Sequence, residues 1–345
     1  MAAQPPRARL PRHARVATGQ PVSGDAAFLA FETGGTKLVA GLAFSDGRLR
    51  TTTSIRRDSS DRAAHSFARI VGAAEQMLSE SRQAAQLRAI GFGFGGTVRR
   101  STNSPHICLH EDGWDEVNVA GELEGRFGVP VIVENDCKLA ALAEAHFGAG
   151  VGARSVFYVT LGTGVGGGYV LEGRIQPFGD LGEAEIGHIV VDEHGPECCC
   201  GNKGCVEAHC SGPGLAKLAT ALARSSHESW KSSALFNESG PTGISSVQVI
   251  RAWEGGDDFA AEVMHVSANR LARALGAVIN LLVPERVVIG GGLGTATPRL
   301  LGLIRDQTRG YVVPYFRDSY GIFSSRLRES VVTQGAAILA CQEVE

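Results

Sequence analysis

The sequence predicts an α/β protein built from a duplicated unit, with two lobes around a central cleft. Three observations carry this. The stretch FLAFETGGTKLVAGLAFSDGRL, from Phe28 to Leu49, is paralleled by SVFYVTLGTGVGGGYVLEGRI, from Ser155 to Ile175. Each reads strand, Gly-rich turn, strand, then an acidic residue with Gly and Arg, the mark of an internal repeat. Apolar, strand-like runs alternate with helix-periodic stretches between and after the copies. A third Gly cluster, Gly290-Gly291-Gly292, follows the apolar run from Arg286 to Ile289. Turns of this kind let backbone amides approach phosphate oxygens.

Bulk properties set limits on function. With 345 residues, 43% of them hydrophobic, the chain can bury one large core or two smaller ones. A net charge of −3 gives no polyanion-binding signal, and no apolar run reaches the roughly 18 residues of a membrane span. Nucleic acid and membrane are therefore not expected partners. Residues 1–25 carry Arg7, Arg9, Arg12 and Arg15 among Pro, Ala and Gly and read as a disordered basic tail. They lack the apolar core of a secretion signal, which makes the protein cytoplasmic, with an Arg-rich organelle leader as the alternative.

In chain order, Phe28 to Phe31 and Leu38 to Phe44 read as a β-hairpin whose tip holds Gly34, Gly35, Thr36 and Lys37. Such a tip suits phosphate, with Thr36 adding a hydroxyl and Lys37 a charge; a plain structural turn accounts for the same residues. Ala63 to Ser79 has helical periodicity, and Arg88 to Phe94 is a strand running into Gly95-Gly96-Thr97. Val129 to Val133 is a short strand ending in Glu134-Asn135-Asp136, followed by a helix from Lys138 to Phe147. Position alone leaves Asp136 open between a helix N-cap and a catalytic carboxylate at a cleft edge. In the second copy the turn is Gly162-Thr163-Gly164. Ser211 to Gly214 breaks the chain, and a helical region then runs to about Leu282, interrupted near Ser232 to Pro241 and at Gly255-Gly256. Phe259 to Leu282 is apolar on one face, as core or dimer surface, and Val331 to Ala340 is a last helix with small residues that permit close packing. Trp114, Trp230 and Trp253 are assigned to packing. The spacing places all three Gly-rich turns around one nucleotide, two at its phosphates and Gly290-Gly291-Gly292 at its adenosine.

The densest chemistry lies between Glu185 and Glu207. His188, Cys198, Cys200 and Cys205 form a Cys₃His set suited to a closed tetrahedral Zn²⁺ that shapes a loop and leaves no open position for water. Eight cysteines, five of them between Cys198 and Cys210, do not make a disulfide framework in a chain this long. Glu185 and Glu207 flank the set, so an ion that fixes the loop also fixes these carboxylates and the imidazole. Cys199, Cys210, His194 and His209 are bystanders, since four ligands complete the site.

With these residues in view, the chain resembles the ROK family of sugar kinases and repressors, within the ribonuclease H-like, actin-like ATPase superfold. The resemblance covers about residues 26–342. Its most specific part is Gly187-His188 followed by Cys198-x-Cys200-Gly201-x-x-Gly204-Cys205-x-Glu207; the GGTK tip, Asn135-Asp136, the Gly162-Thr163-Gly164 turn and the Gly triplet occur in the expected order. The resemblance implies a small lobe of residues 26–137 plus 331–345, and a large lobe of 138–330 with a zinc-binding loop. It implies Asp136 as catalytic base, and Asn135, Gly164, Glu185, His188 and Glu207 as sugar contacts. ATP with Mg²⁺ would lie against Gly34, Gly35, Thr36, Lys37, Gly162, Thr163, Gly290, Gly291 and Gly292. His188 would serve zinc through one ring nitrogen and sugar through the other. A homodimer is also implied.

Departures bear on the sugar. Glu32 stands where most members carry Asp, as in the fructokinase branch, while the CxC knuckle is of the glucokinase and N-acetylhexosamine kinase type. Gly96-Thr97-Val98-Arg99 replaces a Pro-Gly turn followed by Val-Asp, and Cys137 and Lys138 replace Ala and Asn. The expectation is an ATP-dependent hexose kinase, glucokinase-like, with fructokinase or N-acetylglucosamine/N-acetylmannosamine kinase as alternatives. A non-catalytic, sugar-sensing regulator is the alternative of another class; a repressor would need a DNA-binding domain of roughly 60 residues where about 25 precede the first hairpin.

Overall fold

The structure is a computed structural model that describes residues 26–344 except 59, 82–85, 109–110, 177, 183, 226–229, 231 and 237–242. The N-terminal tail and part of the interruption expected near Ser232 to Pro241 lie outside the described residues.

The first half opens with β1 (Ala27–Thr33), β2 (Lys37–Phe44) and β3 (Leu49–Arg56), then α1 (Ala63–Ser79), β4 (Leu87–Phe94), a small hairpin β5 (Thr97–Arg99) and β6 (Ser104–Ile107), α2 (Val119–Phe127), β7 (Val131–Asn135) and α3 (Asp136–Phe147). The second half gives β8 (Ser155–Leu161), β9 (Val165–Leu171), β10 (Arg174–Ile175), α4 (Val206–Cys210), α5 (Gly212–Ser225), α6 (Ser246–Glu254) and α7 (Asp258–Leu282). It ends in β11 (Arg286–Gly290), α8 (Gly291–Gly294), α9 (Pro298–Thr308), β12 (Gly321–Ser324) and α10 (Val331–Glu343).

The repeat read in the sequence is a repeat of topology. One sheet has the order β3-β2-β1-β4-β7 and the other β10-β9-β8-β11-β12. In both, the first three strands are antiparallel neighbours and the last two run parallel to the first. Central strands with both faces covered read as continuous apolar runs, which is why β1 is buried at every position and the edge strand β3, rich in Thr, is mostly exposed. Phe31, Phe92, Phe94 and Trp114 pack together in the first half, and Trp253 is buried among α5, α6 and α7 residues in the second. Trp230 stacks edge-on to Phe236 at 5.4 Å, so all three tryptophans pack as expected.

Two helices join the halves. α3 leaves the first sheet but packs on β8 and β9 of the second; α10 leaves the second sheet and packs on β1 and β4 of the first. They lie against each other closely enough that a Cβ on Gly335 would sit 1.9 Å from the Leu139 carbonyl oxygen, which accounts for the small residues of the last helix. The N-terminus of α3 therefore sits at the seam between halves. At this junction two boundaries differ from expectation. β7 begins after Pro130, which has no N–H for the ladder, and α3 starts at Asp136 because Asn135 is its N-cap.

Candidate active site

At the end of β7 the Asn135 side chain is fully used. Its Oδ1 accepts from the amides of Cys137 and Lys138 at 2.9 and 3.2 Å, and its Nδ2 donates to the Gly96 carbonyl and to Asp136 Oδ1 at 3.0 and 3.1 Å. An amide side chain has two donors and two acceptor positions, and with these four bonds Asn135 holds Asp136 in place. The cap is Asn135, and Asp136 occupies the first helical turn. Asp136 Oδ1 also accepts from the Cys137 amide at 2.8 Å, while its Oδ2 lies toward Gly95, 3.8 Å from where a Cβ on that glycine would be. The residue as a whole is half-buried. Burial, reinforced by the charges of Glu32 and Glu185, lifts its pKa to about 6, although hydrogen bonds from Cys137 work the other way.

Gly95 connects Asp136 to the first hairpin, since the same Cβ position is 2.9 Å from the Thr33 carbonyl and 3.7 Å from Gly34 Cα. Within the tip, the Gly34 amide donates to the Lys37 carbonyl at 3.0 Å. Arg57 donates from Nη1 to the Gly35 carbonyl at 2.8 Å and from its amide to the Thr36 carbonyl at 3.1 Å. Arg57 pairs with Glu111 at 3.2 Å, both buried, and Glu111 accepts from Ser66 and Trp114. Lys37 turns away from the tip: its ammonium pairs with Glu32 at 3.2 Å and donates to the Glu329 carbonyl at 2.8 Å. Thr333 donates to the other Glu32 oxygen at 2.7 Å.

Across the seam stands the cysteine loop. His188 Nδ1 is 3.6 Å from Cys198 Sγ, Cys200 and Cys205 sulfurs are 3.7 Å apart, and all four donor atoms lie within 4.8 Å of one another. A tetrahedral ion with thiolates at about 2.3 Å and imidazole at about 2.0 Å needs S···S and S···N edges of about 3.8 and 3.6 Å, so the donor set fits zinc. Nδ1 faces the thiols. Glu207, in the short helix that follows, accepts the Val165 amide through Oε2 at 2.8 Å and the Cys199 thiol through Oε1 at 3.0 Å. A Cβ on Gly164 would lie 2.8 Å from Glu207 Oε2, so only glycine at 164 lets the carboxylate reach the turn.

A cavity of about 710 Å³ opens beside this turn. Gly162, Thr163 and Gly292 line it, together with Gly212 and Pro213 at the start of α5 and Ser245 and Arg251 on α6. Among the described residues, the lining of this cavity does not include the hairpin tip. Gly34 and Gly35 border a separate small one with Thr33, Arg57 and Trp114. Gly290 and Gly291 do not border the large cavity; Gly291 has φ +78°, and a Cβ there would lie 2.3 Å from the Leu161 carbonyl oxygen, so these two glycines let the chain turn tightly against β8.

Residues 28–343 match the model of the ROK family. The chain belongs to the ROK family. A relative, the glucokinase of Thermotoga maritima, is 32% identical over 91% of this chain and 96% of its own length. Among solved structures, the ROK hexokinase of Thermus thermophilus is similar at a TM-score of 0.78 and 28% identity, covering 92% of this chain and 99% of that one. The ROK glucokinase of Streptomyces griseus, solved in complex with glucose and AMPPNP, gives 0.75 and 28%, covering 92% of this chain and all of that one. The duplicated sheets are those of the actin-like ATPase fold that ROK kinases share.

For this ROK protein, sequence reasoning missed the α6 wall of the cavity and the Arg57–Glu111 pair behind the hairpin tip. α6 carried one signal, the Ser245-x-x-Gln248 capping box, whose reciprocal hydrogen bonds are both present. Gly212-Pro213 read as a chain break and is a cavity wall. Arg57 and Glu111 are 54 positions apart in the chain, and nothing local links them.

Proposed function

We propose that this chain is an ATP-dependent kinase that phosphorylates the primary hydroxyl of a hexose, glucose by preference. The observation that carries the reading is Asp136: a carboxylate with pKa lifted to about 6, set at the seam between the hairpin tip and Glu185. A base of that strength is ionised at neutral pH and suited to take a proton as the hydroxyl oxygen attacks the γ-phosphoryl group. The glucose preference rests on likeness to the two glucokinases above.

In this reading Asp136 Oδ2 faces the hydroxyl while Oδ1 is held by Asn135 and Cys137. Glu185, His188 through Nε2, Glu207 and Gly164 bind the sugar's other hydroxyls, and a buried carboxylate left unmatched by a misplaced hydroxyl would discriminate epimers. The 710 Å³ cavity is of the size of nucleotide and drug-sized sites, which supports ATP there, its base side against α6 and its phosphates running along Gly162 and Thr163 toward Gly34, Gly35 and Thr36. Mg²⁺ entering with ATP would supply charge neutralisation on the phosphates. Both oxygens of Glu32, at the end of β1 beside the hairpin tip, are engaged by Lys37 and Thr333.

Zinc in the Cys₃His set is structural: it holds the loop from which His188 and Glu207 project. The reading divides the chain into lobes of 26–137 with 331–345, and 138–330, which close over the sugar and keep water from the phosphoryl group. A homodimer is part of it, supported by Leu281 and Tyr315, 81% and 79% exposed. So is a cytoplasmic setting, supported by cysteines that form no disulfide among the described residues, as in a reducing compartment; no described helix is long and apolar enough to cross a membrane. A coupled ADP-release assay with ATP and glucose, mannose, fructose, N-acetylglucosamine and N-acetylmannosamine tests the function. The expected result is hexose-dependent ADP release, fastest with glucose; no release with any of the five would refute it.

A further inference from the structure

The hairpin β5–β6, where Gly96 to Arg99 departs from the usual ROK pattern, is tied to the other half of the chain at Asp180. The Ser101 amide donates to Asp180 Oδ1 at 2.7 Å, Arg99 Nη1 donates to Oδ2 at 3.3 Å, and the Arg100 amide donates to the Asp180 carbonyl at 2.9 Å. Arg99 and Leu181 form an antiparallel bridge beside them. These bonds, the Ser101 amide foremost, hold the Asp180 carboxyl below the usual carboxylate range.

The hairpin is also anchored from behind. Arg100 Nη2 donates to Glu134 Oε2 at 3.0 Å, and the other Glu134 oxygen pairs with Lys138 at 3.2 Å and accepts the Asn135 amide at 2.8 Å. Glu134 and Lys138 are both buried. A chain of polar contacts thus runs from the strand–helix junction that carries Asp136 to Asp180. Just beyond Asp180, a Cβ on Gly182 would lie 3.2 Å from Glu185 Oε1 and 3.7 Å from Thr97 Cγ2, so hairpin and loop meet at Glu185.

We infer that Asp180 is a positioning residue that fastens the β5–β6 hairpin across the seam and so sets Glu185 and Thr97 against the sugar. Ion pairs this exposed contribute little to global stability. A loop that opens with small free energy, however, is moved far by a charge-assisted bond to a backbone amide. This rests on the kinase reading above.

The test compares wild type with Asp180→Ala and Asp180→Asn. Asn keeps an acceptor for the Ser101 amide and loses the charge facing Arg99. Loss of one charge-assisted bond predicts a glucose KM about tenfold higher in Asp180→Ala and a smaller rise in Asp180→Asn. ATP KM and melting temperature should stay at the wild-type values. An unchanged glucose KM overturns the inference, as does an equal rise in both KM values with a lower melting temperature, the mark of general damage. Glucose affinity by calorimetry without ATP separates the two readings. A wild type that binds glucose but does not phosphorylate it refutes the kinase and leaves the latch to be judged by the affinity of Asp180→Ala. A wild type that neither binds nor turns over glucose removes both.

Discussion

Asn135 donates from Nδ2 to Oδ1 of Asp136 at 3.1 Å while its own Oδ1 caps the helix on which Asp136 stands. Capping and orientation come from one side chain. Oδ1 of Asp136 is thereby committed, Oδ2 is left toward Gly95 and the hairpin tip, and the carboxyl sits close enough to Glu32 and Glu185 for their charge to be felt.

Asp136 should cost the fold stability. Its pKa is raised in the folded state from 3.8 to about 6, so the neutral form is favoured there by about 3 kcal/mol. The stability this contributes is complete below the unfolded pKa and is lost as pH rises through about 6. Asp136→Asn, which keeps the acceptor oxygen, is therefore expected to melt higher than wild type at pH 7.5, with the gap narrowing toward pH 4. A variant that melts lower at pH 7.5 would show that the carboxylate is not under this strain.

The same raised pKa sets the activity profile. A base works only when ionised, so kcat/KM for the sugar should fall as pH drops through about 6. A profile flat down to pH 5 would separate the acid limb from Asp136.

Elemental analysis of purified protein is expected to find about one zinc per chain, as a Cys₃His site demands. Cys200→Ala should lose the metal and weaken glucose binding by about tenfold or more, because His188 and Glu207 lose their common anchor, with a smaller effect on ATP. Full activity without zinc would contradict the assignment.

Sugar and nucleotide sides should separate at two glycines. Gly164→Ala pushes a Cβ to 2.8 Å from Glu207 Oε2, and is expected to raise the glucose KM about tenfold with ATP KM little changed. Gly292→Leu extends into the cavity from a position with open space around its Cβ, and is expected to raise ATP KM by a similar factor with glucose affinity unchanged. The opposite pattern would exchange the two sites.

The repeat of strand, glycine turn and strand was legible because identical local chemistry serves it twice, and the two sheets have the same order. The cysteine loop was legible because its four donors fall within 18 consecutive residues, His188 to Cys205. What the sequence did not disclose depends on contacts across long separations. Lys37 looks like a phosphate ligand until Glu32 and Glu329 are seen to hold it. The Gly triplet looks like one site, but its first two members answer to β8 and only Gly292 to the cavity. Asn135 matched the family's sugar contact, and its bonds to the α3 amides, to Asp136 and to the Gly96 carbonyl were not visible in the sequence.

The most direct test of the account is the turnover number of Asp136→Asn with saturating ATP and glucose at pH 7.5. Loss of a general base predicts a fall of about 10²- to 10⁴-fold in kcat, with glucose still bound. Wild-type turnover in that variant would contradict the central claim that this carboxylate takes the proton from the sugar.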